Sequence, residues 1–203
     1  MDLPVYDMPV YEPALYGDVV HPIESGGNCG YIAIQMGLIA VGEHDQIVPA
    51  GPFRQRIYDY AAENEHSFTH DVVARRRNGG SVYPLDNIRP NKNKNEVKRR
   101  FWTREVLNKI WMENVDFDRP VSHAHWMDGM FVLPIIVHMY RLTGLIVYQK
   151  VSVGRYVTLI YRYQNGLVLF EEVDGVVPPR TYPPIYDAHL VFADNRFSFL
   201  RVA

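Results

Sequence analysis

The segment ESGGNCGYIAIQMGLIAVGEH, residues 24–44, carries a clear indication of the fold. It holds the only cysteine of the chain, Cys29, followed by an apolar run that predicts a helix from about Cys29 to Val41. Unpaired backbone N–H groups and the positive end of the helix dipole stabilise a thiolate at such a position. The pattern is typical of an activated nucleophile, and equally of a small buried apolar residue at a helix start. The local sequence leaves both interpretations open.

The residues just before the cysteine favour a catalytic loop. Gly26 and Gly27 can adopt backbone angles that are closed to other residues, so their amides can turn toward one point. Together with Asn28 they are candidates for an oxyanion loop beside Cys29.

Composition limits the class of protein. The 203 residues fit one domain, with 47% hydrophobic and 22% charged residues and a net charge of -2. One cysteine excludes an internal disulfide and a Cys-rich zinc site, and a reducing compartment is the simplest setting. We expect no cofactor. The proline-interrupted, acidic start does not resemble a signal peptide, and no apolar run approaches the ~20 residues that span a bilayer. We expect an intracellular, cytoplasmic protein (host cytoplasm if viral) with no membrane partner.

The chain divides into an arm and a domain. Residues 1–20 contain Pro4, Pro9 and Pro13 and the near-repeat LPVYDMPVYEP, which predicts an extended arm. We expect this arm to dock on the domain at 21–203 or to support self-assembly with a partner subunit.

Helical patterns come first in the domain, and strand patterns follow. Further helices are predicted in residues 51–68, in 103–114, and over 129–143, where Gly144 ends the helix and Pro134 should kink it. The later strands are rich in β-branched and aromatic residues and are predicted at 145–151, 155–163, 167–173, 189–193 and 196–203. This order predicts an α+β (mixed α/β) fold, with helices packed on a central, largely antiparallel sheet.

Four segments in this order resemble the ovarian-tumour (OTU) family of papain-like cysteine proteases, many of which are deubiquitinases. GGNCGYIAI looks like the family's Asp-Gly-Asn-Cys-Leu-Phe motif, and FRQRIYDYAAENEHSF looks like its next helix. HWMDGMFVLPIIVHMYRLTGLIVYQ is similar to the Trp-Gly-x-x-Glu-Leu helix and the central strand, and AHLVFADNRFSFLRV to the closing hairpin. The resemblance spans about residues 23–202. It implies an OTU-like papain-like fold, Cys29 as the nucleophile, and ubiquitin or a ubiquitin-like protein as partner.

The sequence departs from the family at two catalytic positions. The loop aspartate falls on Gly26, and the catalytic histidine, which an aromatic residue follows, falls on Arg196 with Phe197 behind it. An arginine stays protonated and cannot accept the proton of a thiol. His189 is a weak alternative base, and a structural hydrogen bond is the favoured interpretation of that residue. The pair His123 and His125 has no evident third metal ligand, so we expect no metal site.

A basic segment at residues 75–104 overlaps the predicted insertion at about 71–101. Residues 75–104 contain ten lysines and arginines but only two acidic residues, with aromatic residues interleaved. Nucleic-acid binding would use such a pattern, but a solvated loop or contact with an acidic protein surface explains it as well. The candidate basic patch comprises Arg75, Arg76, Arg77, Lys92, Lys94, Lys98, Arg99 and Arg100.

Three hypotheses follow for the function. The first is an OTU-like domain that has lost catalysis and acts as a protein-binding or assembly module, which the Arg196 substitution favours. The second is an active OTU-type cysteine protease with Cys29 and a displaced base. The third is an RNA-binding interaction protein that uses the basic segment at 75–104.

Overall fold

The computed structural model describes residues 12–23, 27–64, 72–76, 83–84, 127, 129–180 and 187–202, with the backbone alone at 72–76, 83–84 and 129–131. The predicted helix at 103–114, the first eleven residues of the arm and most of the basic segment lie outside these residues.

Three α-helices and eight strands form the described structure. The helices are α1 (Cys29–Ala40), α2 (Ala50–Glu63) and α3 (Gly129–Tyr140), and a short 3-10 helix spans Pro13–Tyr16. The strands are β1 (Gly17–Val20), β2 (Val72–Arg76), β3 (Tyr83–Pro84), β4 (Gly144–Ser152), β5 (Arg155–Gln164), β6 (Leu167–Asp174), β7 (Asp187–Ala193) and β8 (Arg196–Val202).

All eight strands belong to one mixed sheet in the order β1-β8-β7-β4-β5-β6-β2-β3. The pairs β4–β7 and β2–β6 are parallel, and the other five neighbouring pairs are antiparallel. The predicted α+β class, with helices and a largely antiparallel sheet, is therefore confirmed.

The sheet has two different faces, because successive side chains of a strand point to opposite sides. On the first face, which we call the helix face, side chains from all three helices pack with alternate residues of the strands. The strand residues in this cluster include Leu145, Val147, Leu190 and Phe197, and the helices contribute residues such as Ile34, Phe53 and Ile136. The helix face thus holds the main hydrophobic core.

The opposite side, which we call the second face, carries a smaller apolar cluster. It contains Ile146, Tyr148, Tyr156, Ile160, Val191 and Leu200. The segment after β6 folds over this face, where the Tyr148 hydroxyl donates to the carbonyl oxygen of Val177 at 3.0 Å. Thr158 fixes the same segment, since its hydroxyl donates to the carbonyl oxygen of Gly175 and accepts from the amide of Val177.

The end of α3 differs from the sequence prediction. The helix passes through Pro134 and ends at Tyr140, and Arg141 has a positive φ of 50°. Gly144, predicted to end the helix, is instead the first residue of β4. There it lies opposite Asp187 of β7, whose carboxylate fills the space that a side chain would need.

Within the described part of the chain, no helix is long and apolar enough to cross a bilayer.

The last residues of the predicted arm form part of the sheet. Strand β1 pairs antiparallel with β8, with Val20 opposite Phe199. Val19 packs against the apolar cluster of the second face. An edge strand therefore links the arm to the domain.

Candidate functional site

Cys29 is the first residue of α1, as the sequence predicts, and its thiol is not in a disulfide. The residue is buried, with 8% of its surface exposed. Asn28 is the N-cap, but its side chain makes no capping hydrogen bond. Its Oδ1 is buried and has no hydrogen-bond partner among the described residues. The carbonyl oxygen of Asn28 accepts the amide of Ile32 at 3.1 Å, which closes the first helical turn.

The structure describes only some of the residues around Cys29. Gly27 and Asn28 of the predicted oxyanion loop are buried, and Gly26 lies outside the described residues. Met127 packs on the first turn of α1, so closely that a methyl group at Gly30 would lie 2.8 Å from its Cε. The start of α1 is thus enclosed rather than open.

The described histidines are all bonded to groups other than the thiol. Each makes a side-chain hydrogen bond: His21 to Ser198 (2.8 Å), His44 to Tyr140 (2.7 Å), His138 to Tyr60 (2.7 Å) and His189 to Tyr148 (3.3 Å). In the described regions no hydrogen bond joins an imidazole to Cys29. The other four histidines, at positions 66, 70, 123 and 125, lie outside them.

His189 has a structural environment on the second face of the sheet. Its ring stacks on Tyr148, with centroids 6.0 Å apart and planes 11° apart. Burial lowers the pKa of His189 to about 4, so the imidazole is neutral at pH 7. Its neighbour in the strand, Leu190, points into the helix-face core. Because strand residues alternate, the ring of His189 points away from α1.

Arg196 also lies on the second face. It opens β8 directly opposite Ala193, and Ala193 packs against the second-face cluster. The next residue, Phe197, belongs to the helix-face core. The motif aligns Arg196 with the family's base, but strand alternation turns its side chain to the face opposite α1. Its Nη2 donates to the carbonyl oxygen of Pro22 at 3.2 Å.

A cleft of about 510 Å³ opens beside Arg196 on the second face. Lys150 and Asp194 form an ion pair of 3.3 Å at its rim. Burial raises the pKa of Tyr156, and the nearby carboxylate of Glu12 raises it further. The cleft is lined by Glu12, Pro13, Ala14, Val19, His21, Lys150, Tyr156, Val191, Ala193, Asp194, Arg196 and Ser198. Local sequence patterns do not predict this cleft, since only the alternation of β7 and β8 indicates that these side chains share a face.

The structure describes only two residues of the candidate basic patch. Arg75 and Arg76 lie in β2, at register positions opposite Glu171 and Glu172 of β6. The remaining members lie outside the described residues, namely Arg77, Lys92, Lys94, Lys98, Arg99 and Arg100.

Neither a candidate metal site among the described residues nor a similar known protein indicates a function. Among the described side chains no group of three or more His, Cys, Asp or Glu is placed to hold a metal ion. In comparisons with known proteins, the chain matches no family model, no curated protein and no solved structure.

Proposed function

We propose that this protein is an OTU-like, papain-like domain that has kept the cysteine at the helix start but lost turnover, and that it acts as a protein-binding module. The observation that supports this proposal is the bonding of the four described imidazoles, each of which has a partner other than Cys29. A papain-like thiol needs an imidazole to accept its proton and to protonate the leaving amine.

Arg196 does not replace that imidazole. Its guanidinium stays protonated, so it cannot accept a proton, and its side chain lies on the other face of the sheet from α1. A general base typically contributes ~10²–10⁴-fold to the rate. Gly26 in place of the family's aspartate removes a group that orders the oxyanion loop, and one lost oxyanion donor costs ~10²–10³-fold. These losses together bring hydrolysis close to background.

The partner that the family resemblance suggests is ubiquitin or a ubiquitin-like protein. The arm at residues 1–20 is a second candidate contact, because its last four residues form the edge strand β1. An edge strand has unpaired backbone groups that another chain can pair with. Self-assembly through this edge is therefore part of the proposal.

Binding and cleavage must be measured separately to test the proposal. Ubiquitin is titrated into isotope-labelled protein and followed by NMR, and cleavage of ubiquitin chains is followed in parallel, for the wild type and Cys29→Ala. We expect saturable binding by both proteins and cleavage by neither. Absence of binding would refute ubiquitin as the partner, and cleavage that Cys29→Ala abolishes would refute the loss of turnover.

A further inference from the structure

The cleft on the second face contains a cation that no described carboxylate pairs with. Lys150 is paired with Asp194 at 3.3 Å. Arg196, by contrast, makes one described hydrogen bond, to the backbone of Pro22, and no ion pair within the described residues. We propose that this cleft binds a ligand through a carboxylate group held by Arg196.

The guanidinium of Arg196 is held in position before any ligand arrives. One Nη2–H bond goes to the carbonyl oxygen of the buried Pro22, at 3.2 Å. A guanidinium has five N–H donors in a planar fork, so four donors have no partner among the described residues. This fork matches the two oxygens of a carboxylate, and a fixed side chain loses less entropy on binding.

A second polar group lines the same cleft. His21 Nδ1 and the Oγ of Ser198 are 2.8 Å apart, which fixes the orientation of the imidazole. When the Ser198 hydroxyl donates to Nδ1, the proton of the neutral ring is on Nε2. His21 then offers an N–H donor at the cleft wall beside Arg196.

The size and charge of the cleft select among anions. Its volume of about 510 Å³ is within the range of small-molecule sites, and its walls include the apolar Val19, Val191 and Ala193. Glu12 also lines it, whereas Asp194 is paired with Lys150, so a singly charged anion meets less repulsion there than a dianion such as phosphate. We therefore expect an organic monoanion with a small apolar body. A free organic acid and the C-terminus of a polypeptide both offer this chemistry.

This inference is independent of the proposed function, because it uses no property of Cys29 and requires no ubiquitin. The two proposals can fail separately.

Calorimetric titration of the full chain with matched acids and amides tests the inference. The probes are N-acetylvaline, a valine-terminated hexapeptide, and the C-terminal amide of each. We expect at least one acid to bind and its amide to bind at least tenfold more weakly, because the amide carries no charge. Equal binding by both acids indicates a free organic acid as the source, and binding by the hexapeptide alone indicates a polypeptide C-terminus.

Two variants and a control locate the binding. Arg196→Gln should weaken binding about 10- to 100-fold, the value of a hydrogen bond to a charged group. Arg201→Gln, the same change at an exposed position of β8 outside the cleft, should not alter it. Ala193→Phe keeps Arg196 but fills the cleft with an aromatic ring, so this variant should abolish binding. The proposal is overturned if neither acid binds, if acid and amide bind equally, or if Arg201→Gln weakens binding as much as Arg196→Gln.

Discussion

Arg196 and Pro22 are joined by a hydrogen bond of 3.2 Å, from the guanidinium Nη2 at the start of β8 to the carbonyl oxygen just beyond the end of β1. The bond holds the arginine on the second face, whereas α1 and its first residue, Cys29, pack on the helix face. The residue at the position that the sequence resemblance assigns to a catalytic base is therefore directed away from the helix that carries the thiol.

This placement predicts the outcome of introducing a histidine at position 196. In Arg196→His the imidazole should also point to the second face, so the reactivity of the thiol should not increase. The measurement is the rate at which Cys29 reacts with an electrophilic ubiquitin probe, compared between the wild type and the variant. A clear increase in the rate of the variant, on the order of the ~10²-fold that a working base supplies, would show that position 196 reaches the thiol.

The burial of His189 should make the free energy of unfolding depend on pH. Its native pKa of about 4 is lower than the ordinary value of 6.5, so between these values the unfolded state binds more protons. The part of the free energy of unfolding that depends on a neutral His189 is fully present above pH 6.5, and it is lost as the pH falls through about 4. The complete loss is about 3 kcal/mol.

Urea denaturation at pH 7 and at pH 4 measures this effect. His189→Gln does not titrate, so its free energy of unfolding should fall less with pH than that of the wild type. The adjacent carboxyl of Asp187 has a pKa raised by burial, which acts in the opposite direction, but it is present in both proteins. Identical pH dependence in the two proteins would contradict the assignment of His189 as a buried neutral group.

The carboxylate of Asp187 lies where a side chain at position 144 would be. A methyl group at Gly144 would overlap the Asp187 Oδ1 and force this carboxylate to move, so Gly144→Ala should destabilise the fold by about 1 kcal/mol, the lower end of the cost of overpacking. Adding Asp187→Ala should recover part of the loss, with Asp187→Ala alone as the control. If the two changes are simply additive in chemical denaturation, the overlap is not the cause.

The end of the arm should stabilise the domain. Deleting residues 1–20 removes β1 and exposes the edge of β8, and it also removes Val19 from the second-face cluster. We expect a loss on the order of 1 kcal/mol or more, seen as a lower midpoint of thermal unfolding. Gly17→Ala should act in the same direction, because the new methyl group would overlap the carbonyl oxygen of Arg201. An unchanged midpoint in both variants would contradict this account of the arm.

Much of the fold could be predicted from the sequence where local signals are strong. Helix α1 starts at Cys29 as predicted, and the five strands predicted from residue 145 onward correspond to β4 to β8. Strand β2 was not predicted, because it lies in a segment of basic character and its pairing with β6 joins segments far apart in the chain.

The candidate site was harder to predict, because it depends on which face a side chain occupies. A motif aligns Arg196 with a catalytic position, but the register with Ala193 decides where the guanidinium points. The contact of His21 with Ser198 joins residues 177 positions apart, which no local pattern reveals.

The rate of ubiquitin-chain cleavage by the wild type and by Cys29→Ala, measured side by side at neutral pH, tests the proposed loss of turnover. We expect both rates to remain at background, while both proteins keep the same thermal stability. Cleavage by the wild type at ordinary protease rates, lost in Cys29→Ala, would contradict the loss of turnover.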